Sequence, residues 1–120
     1  MSTMDPAAPQ LSVVIPVYNE NGNIAPLVEE IAVALFGRMR FEVIVVDDGS
    51  TDGTGAEAAE LAATRPWLRV ESHARNRGQS AGIRTGARAA AAPVVAVLDG
   101  DGQNDPADIP SLFAAVMLSD

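Results

Sequence analysis

Residues 41–54 have the sequence FEVIVVDDGSTDGT, in which an uninterrupted apolar run passes directly into a turn of small and acidic residues. The run from Phe41 to Val46 is rich in β-branched side chains and too short for a helix, so it predicts a buried strand. Either Asp52 or Thr54 can cap the alanine-rich helix that follows to about Ala63. This stretch therefore predicts one strand, one polar turn and one helix in succession.

The same succession recurs along the rest of the chain. Three further apolar runs predict strands: Leu11 to Pro16, Trp67 to Ser72 and Val94 to Leu98. Strands and helices in alternation predict an α/β fold, with a Rossmann-like, mostly parallel sheet of about four strands and helices on both faces. Residues 1–10 are expected to form a flexible tail before a single domain at residues 11–120.

Apolar periodicity and capping residues locate the helices between these strands. The first helix has one apolar face, made of Leu27, Ile31 and Leu35. Asn23 is its expected N-cap, because an asparagine side chain accepts hydrogen bonds from unpaired backbone N–H groups. The third helix is expected from Gln79 to about Ala91, and the residues on one side of it are Ile83, Ala87 and Ala90. A last helix is expected from Asp105-Pro106 to about Leu118.

Composition excludes several classes of function. The net charge is -8 and the chain has eight arginines and no lysine, so we expect no nucleic-acid partner, because that binding needs clustered cations. Without cysteine the chain forms no disulfide and no thiolate metal site. The longest apolar stretch, Ala89 to Leu98, is about half of a membrane span, and the first residues lack a signal-peptide pattern. We therefore expect a soluble chain.

Polar and acidic side chains follow three of the predicted strands. They are Tyr18, Asn19 and Glu20 after the first, Asp47, Asp48, Ser50 and Asp52 after the second, and Asp99, Asp101, Gln103 and Asp105 after the fourth. Because parallel strands end at one edge of the sheet, we expect a ligand there. Two unit charges about 4 Å apart repel by roughly 4 kcal/mol at an effective dielectric near 20, so such crowding favours protonation, arginine pairing or a bound cation.

The D-x-D pattern of Asp99 and Asp101, with Gln103 two residues further on, supplies hard oxygen ligands from one turn. Such ligands suit Mg²⁺ or Mn²⁺, which take further ligands from the phosphates of a substrate. We interpret these three residues as metal ligands that serve a nucleotide diphosphate. The alternative interpretation is a glycine-rich turn with solvated acids.

Other chemistries fit this motif less well. An EF-hand loop would need glycine where Asn104 stands and glutamate where Pro110 stands. Phosphatases of the haloacid dehalogenase type use a similar D-x-D-G sequence, but it normally opens the chain and is accompanied by a lysine. No G-x-G-x-x-G or P-loop follows the first strand. A phosphatase therefore stays a weaker alternative.

Four residues of the predicted first and third turns have more than one interpretation. His73, the one histidine of the chain, is interpreted as a turn residue rather than a zinc ligand. Arg75 and Arg77 precede a helix start, where cations and backbone N–H groups attract phosphate, or they are simply solvated. Tyr18 either stacks on a nucleobase or closes the first turn over the core.

Four motifs in this order resemble the family-2 glycosyltransferases of the GT-A fold. They are LSVVIPVYNE, VIVVDDGSTDGT, NRGQSAGIRTG and VLDGDGQNDP. The RNRGQSAG segment and the glutamine of the last motif are most similar to the polyprenol-phosphate sugar transferases of the dolichyl-phosphate mannose synthase type. The resemblance implies transfer of a sugar from GDP-mannose or a UDP-sugar to a polyprenyl phosphate, with Mg²⁺ or Mn²⁺ as cofactor.

The resemblance also implies roles for individual residues. Nucleotide contacts would come from Pro16, Tyr18, Glu20, Val46, Asp48, Asp99, Gly100, Asp101 and Gln103. The metal would be held by Asp99, Asp101 and Gln103. The catalytic base on the acceptor side is unknown and is expected beyond the end of this chain.

Members of this family continue beyond the length of this chain with the acceptor site. The resemblance therefore implies that residues 11–120 are the nucleotide-sugar-binding half of a truncated GT-A domain, which binds nucleotide weakly and does not turn over alone. The full-length protein is expected in the cytoplasm, at the inner face of a membrane. The alternative is a non-catalytic nucleotide-binding or assembly module, which forms a homo-oligomer through uncovered apolar surface.

Overall fold

The computed structural model describes residues 8–98. The elements in this part of the chain are β1 Leu11–Val17, α1 Ile24–Leu35, β2 Phe41–Asp47, α2 Thr54–Ala63, β3 Leu68–Ser72, α3 Gln79–Ala89 and β4 Val94–Val97. They lie within two residues of the predicted boundaries. The last predicted helix, 105–118, lies outside the described residues. None of the three described helices is long and apolar enough to cross a membrane.

The four strands are parallel and lie in the order β3-β2-β1-β4. The chain builds the sheet outward from β1 to β3 and then crosses back to place β4 on the other side of β1. In open parallel sheets, ligands bind beyond the carboxyl ends of the strands where the order reverses. Here that point lies between β1 and β4, where the N–H of Leu98 donates to the carbonyl of Val14 over 3.0 Å.

Helices cover both faces of the sheet, which explains why every residue of β2 is buried. On one face, α1 and α2 pack over a core that includes Val13, Ile15 and Val43. On the other face, α3 packs over β1 and β2, where the buried cluster is Val14, Ile44 and Val46. The predicted α/β fold with helices on both faces is confirmed.

The packing of α3 differs from the prediction. Ala87 is exposed, and the buried residues of this helix are Ala81, Gly82 and Gly86. A Cβ atom at Gly86 would overlap the side chain of Val14, and one at Gly82 would lie 3.0 Å from Cβ of Pro16. The predicted side of Ile83, Ala87 and Ala90 was wrong because α3 approaches β1 with its backbone, and this requires glycine rather than bulky side chains.

We expect Gly86→Ala to lower the free energy of unfolding by about 1–3 kcal/mol, the usual cost of overpacking a core. In an open helix the same change would stabilise by roughly 0.5–1 kcal/mol, so the sign of the effect reports the close packing. The control is Ala87→Ser, which also adds one heavy atom but on the exposed side of α3. Urea unfolding measures both variants. An unchanged or higher midpoint for Gly86→Ala would contradict the packing.

A charged network joins the amino ends of three strands, on the edge opposite to the predicted ligand site. Oε2 of Glu42 accepts hydrogen bonds from the Ser12 hydroxyl at 2.6 Å and from the N–H of Ala91 at 2.7 Å. Oε1 accepts two from the guanidinium of Arg69, at 3.0 and 2.7 Å. The N–H of Ala92 donates to the Ser12 hydroxyl. The network therefore fixes the connection that leads from α3 into β4.

Part of the predicted tail is held against the sheet. The N–H of Gln10 donates to the carbonyl of Arg40, and the side chain of Gln10 accepts from the N–H of Arg40. The guanidinium of Arg40 donates to the carbonyl of Ala8. Hydrogen bonds therefore join residues 8–10 to Arg40, and residues 1–7 lie outside the described part of the chain.

Candidate functional site

The candidate site is the edge of the sheet at the carboxyl ends of the strands. Three turns meet there: the first turn, residues 18–23, the second turn, residues 48–53, and the third turn, residues 73–78. In the first turn the side chain of Tyr18 is 46% exposed, so it does not close the turn over the core. Pro16 is half-buried beneath Gly82 of α3, and Glu20 is half-buried at the base of the turn.

The first turn is hydrogen-bonded to the second turn along its length. The N–H of Asn19 donates to the Ser50 hydroxyl at 2.9 Å, and Oδ1 of Asn19 accepts from the N–H of Thr51 at 2.9 Å. The N–H of Asn21 donates to the Asp52 carboxylate at 3.1 Å. Asn19 has a left-handed φ of 52°, a conformation that asparagine tolerates well. The two turns therefore form one unit.

Glu57 of α2 caps the start of α1 from a different element. Its two carboxylate oxygens accept from the N–H groups of Gly22 and Ala25, at 2.9 and 3.2 Å. Asn23 occupies the predicted N-cap position, but its side chain makes no capping hydrogen bond and donates instead to Glu20. The capping role predicted for the Asn23 side chain was therefore wrong. A negative charge suits a helix N-terminus whichever element supplies it.

The second turn is held by its own acidic side chains. Oδ1 of Asp47 accepts from the N–H of Ser50 at 3.0 Å. Asp52 accepts from the hydroxyl and the N–H of Thr54, the first residue of α2. The N-cap position is Gly53, without a side-chain cap, so neither Asp52 nor Thr54 is the N-cap residue as predicted. Hydrogen bonds from Thr54 and from the N–H of Asn21 hold the pKa of Asp52 below its ordinary value.

Asp48 is buried, and both of its carboxylate oxygens are occupied. Oδ1 lies 2.8 Å from Nδ1 of His73 and accepts from the N–H of Arg77 at 2.8 Å. Oδ2 accepts from the N–H of Gly78 at 2.9 Å. Burial alone would raise the pKa of this carboxyl, but the hydrogen bonds from His73, Arg77 and Gly78 outweigh burial and hold the pKa below its ordinary value. The ionised side chain therefore joins the second turn to the third.

His73 lies in the third turn, as the sequence indicated, and its buried side chain also bridges the second turn to α3. Its side chain is 5% exposed, and its Nε2 lies 2.8 Å from the hydroxyl of Thr85 on α3. A single histidine in a polar stretch gives no periodic signal. A usable signal was its place directly after β3, because Asp48 directly follows β2 and these two strands are neighbours, with Asp47 opposite Ser72.

The start of α3 is only partly available to an anion. The N–H groups of Arg77 and Gly78 already donate to Asp48, so these two are not free to bind phosphate. Arg75 and Arg77 are exposed residues of the third turn. Phosphate attraction by this turn stays a prediction.

Val46 is fully buried in the cluster beneath α3. The side chain of Val46 therefore belongs to the core. The nucleotide contact that the resemblance implies for this residue stays a prediction. Successive side chains of a strand point to opposite faces of the sheet, and both faces of this sheet are covered, so the side chain of Val46 points into the core.

The acidic residues of the first two turns are compensated within the protein. Four of these carboxylates accept hydrogen bonds from backbone or side-chain donors: Glu20, Asp47, Asp48 and Asp52. Within residues 8–98, no three His, Cys, Asp or Glu side chains are grouped to hold a metal ion. In the described part of the chain, the carboxylates of the first two turns are therefore stabilised by hydrogen bonds.

The predicted metal ligands Asp99, Asp101 and Gln103, together with Gly100, lie outside the described residues. Their donor set still fits the ion, because two carboxylates and an amide carbonyl are oxygen ligands of the kind that Mg²⁺ and Mn²⁺ accept. The assignment of the metal to these residues stays a prediction.

Comparisons with known proteins are consistent with this fold and edge. The sequence model of glycosyl transferase family 2 matches residues 12–117. A dodecaprenyl-phosphate galacturonate synthase from Rhizobium johnstonii is 42% identical over 107 residues, which cover 88% of this chain and 32% of that protein. A dolichol-phosphate mannosyltransferase from Pyrococcus furiosus is 37% identical over 107 residues, which cover 89% of this chain and 30% of that protein.

A solved structure has the same architecture. A mannosyltransferase from Pyrobaculum calidifontis, in complex with GDP-Man and Mn²⁺, superposes with a TM-score of 0.77 at 30% identity, over 99% of this chain and 34% of that one. The chain thus spans about a third of the length of the proteins that it matches.

Proposed function

The chain belongs to glycosyl transferase family 2, and from this we propose that the edge formed by its three turns binds a nucleoside diphosphate sugar, whose sugar the whole protein transfers to a polyprenyl phosphate. The observation that carries the proposal is the position of the exposed Tyr18, at the strand-order reversal where ligands of open parallel sheets bind. An aromatic ring in that position offers a flat apolar face to a nucleobase.

Rigid support for this edge favours ligand binding. The hydrogen bonds between the first and second turns hold the backbone next to Tyr18 before any ligand arrives, which reduces the entropy lost on binding. Arg75 and Arg77 add exposed positive charge in the third turn. Guanidinium groups are well suited to bind phosphate oxygens.

The metal would be held by Asp99, Asp101 and Gln103. Bound there, Mg²⁺ or Mn²⁺ would supply Lewis-acid compensation of the negative charge on the leaving diphosphate. The complex of the Pyrobaculum calidifontis mannosyltransferase with GDP-Man and Mn²⁺ supports this assignment. The hydrogen bond of Leu98 to Val14 also supports it, because the residue before the D-x-D motif is thereby fixed beside the first strand.

The names of the relatives support a lipid phosphate as acceptor, since two of them act on dodecaprenyl phosphate and dolichol phosphate. We propose the same class of acceptor for the whole protein, at the cytoplasmic face of a membrane. Because this chain spans about a third of those proteins, we expect it to bind the donor without turning over.

Calorimetry with GDP and UDP, each with and without Mn²⁺, tests the proposal. We expect binding of one nucleotide to strengthen when Mn²⁺ is present, and Asp101→Ala to remove most of that gain, at least about tenfold in affinity, because one metal ligand is lost. Asp108→Ala is the control, since it removes an equal charge outside the D-x-D motif. A nucleotide affinity that is the same with and without Mn²⁺ would contradict the metal assignment.

A second candidate function is an assembly module without catalysis. Val95 and Val97 of β4 are 38% and 40% exposed, and they lie on the α3 side of the sheet. Apolar side chains on an edge strand favour association with a second copy. Absence of nucleotide binding together with a dimer in sedimentation experiments would favour this function over sugar transfer.

A further inference from the structure

The second and third turns touch through their backbones. Gly49 has a φ of 74°, and a Cβ atom there would overlap the backbone of Arg75 and Asn76. The N–H of His73 donates to the carbonyl of Asp47 over 2.9 Å at the start of the same contact. The third turn therefore lies directly on the second, with no side chain between them.

Two side chains close this contact. Asp48 receives the N–H groups of Arg77 and Gly78 at the end of the third turn, and His73 contacts Asp48 at its beginning. The other ring nitrogen of His73 contacts Thr85 of α3. Together these hydrogen bonds connect the end of β2, the end of β3 and the body of α3.

The tautomer of His73 follows from its neighbours. Asp48 is ionised and only accepts hydrogen bonds, so Nδ1 of His73 must carry a proton. Nε2 then either accepts from the Thr85 hydroxyl or donates to it, since a hydroxyl does both. In both cases the ring is fixed from two sides, and it orients the buried carboxylate of Asp48.

We propose that His73 is a positioning residue of the nucleotide site. By holding Asp48 in the orientation that receives the N–H groups of Arg77 and Gly78, it fixes the third turn, which carries the exposed residues Arg75 and Arg77. The inference rests on the proposed function, because the ligand whose affinity would depend on the position of the third turn is the proposed nucleoside diphosphate. His73 itself does not contact the ligand.

Two substitutions separate positioning from bulk stability. His73→Leu replaces the imidazole ring with an apolar side chain and so removes both hydrogen bonds. His73→Asn retains an amide N–H at the position of Nδ1 and loses only the contact with Thr85. We expect His73→Leu to weaken GDP or UDP affinity about tenfold, the effect of losing a hydrogen bond to a charged group. His73→Asn should restore affinity to within about threefold of the unchanged chain.

Amide hydrogen exchange provides a readout that does not depend on nucleotide. We expect exchange at Arg77 and Gly78 to become at least about tenfold faster in His73→Leu and to return towards the unchanged rate in His73→Asn. Exchange in the centre of β2, at Val45, is the internal control, because a general loss of stability would accelerate all three amides together.

The outcomes are distinct. If His73→Leu has the same nucleotide affinity and the same exchange rates at Arg77 and Gly78 as the unchanged chain, the positioning role is overturned. Equal acceleration of exchange at Arg77, Gly78 and Val45 would overturn it too. An unchanged chain that binds no nucleotide would contradict the proposed function instead. In that case the exchange rates of Arg77 and Gly78 alone decide whether His73 holds the third turn.

Discussion

Replacing Glu42 with alanine is expected to lower the free energy of unfolding by about 3 kcal/mol. Glu42 is 8% exposed, and its carboxylate accepts hydrogen bonds from Ser12, Ala91 and Arg69, all of which lose this acceptor in the variant. Removing one member of a buried ion pair costs about 3–5 kcal/mol. Because the Arg69 side chain is 42% exposed, water compensates part of the loss and the lower end of that range applies.

Urea unfolding measures this effect, with Glu30→Ala as the control, since Glu30 is an exposed acid on α1. We expect the control to change the free energy of unfolding by no more than about 0.5 kcal/mol. Similar decreases in the free energy of unfolding for Glu42→Ala and Glu30→Ala would show that the hydrogen bonds of Glu42 add no stability beyond the effect of its negative charge.

The same network gives a pH dependence of known sign. Burial raises the pKa of Glu42, but the hydrogen bonds from Ala91, Ser12 and Arg69 outweigh burial and hold the pKa below its ordinary 4.5. A lowered pKa stabilises the folded state fully above about pH 4.5, and this stabilisation is lost as the pH falls through the folded-state pKa. Glu42→Gln should therefore lose less stability than the unchanged chain when the pH is lowered from 4.5.

Replacing Asp48 with alanine is expected to have the largest effect on ligand binding, a loss of about a hundredfold in GDP or UDP affinity. Three donors lose their acceptor: Nδ1 of His73 and the N–H groups of Arg77 and Gly78. Each buried donor left unpaired costs about 1–3 kcal/mol. The third turn then keeps the backbone contact at Gly49 and the hydrogen bond from the N–H of His73 to the carbonyl of Asp47, but its end at Arg77 and Gly78 loses its acceptor.

Calorimetry with nucleotide and Mn²⁺ measures the loss, and a urea titration confirms that the variant is still folded. Glu60→Ala is the matched control, because it removes the same charge from an exposed position of α2. Asp48→Asn should resemble Asp48→Ala, since an amide group cannot accept hydrogen bonds with both of its ends. Unchanged affinity in a folded Asp48→Ala variant would contradict the role of this residue.

The strands were predictable because they lie between two covered faces. Every residue of β2 is buried, and a continuous apolar run such as FEVIVV has few other stable arrangements. The packing of α3 was not predictable from the same periodicity. Its contact with β1 depends on the absence of side chains at Gly82 and Gly86, and apolar periodicity does not detect an absence.

The candidate site was predictable in its location but not in its electrostatics. Tyr18 and Glu20 follow a strand, which was enough to assign them to the ligand edge. The compensation of Asp48 and Asp52 depends on backbone N–H groups supplied by other turns, and these donors belong to no residue type. Counting acidic residues therefore did not show how these carboxylates are stabilised in the described part of the chain.

The position of β1 between β2 and β4 has a consequence during synthesis of the chain. Leu11 pairs with Phe41 on one side and with Val94 on the other, and these two partners are about fifty residues apart. At about 5–20 residues per second, the ribosome needs several seconds to deliver the second partner after the first. For that interval β1 of the nascent protein has no partner strand on its β4 side, so we expect the yield of folded protein to depend strongly on chaperones and growth temperature.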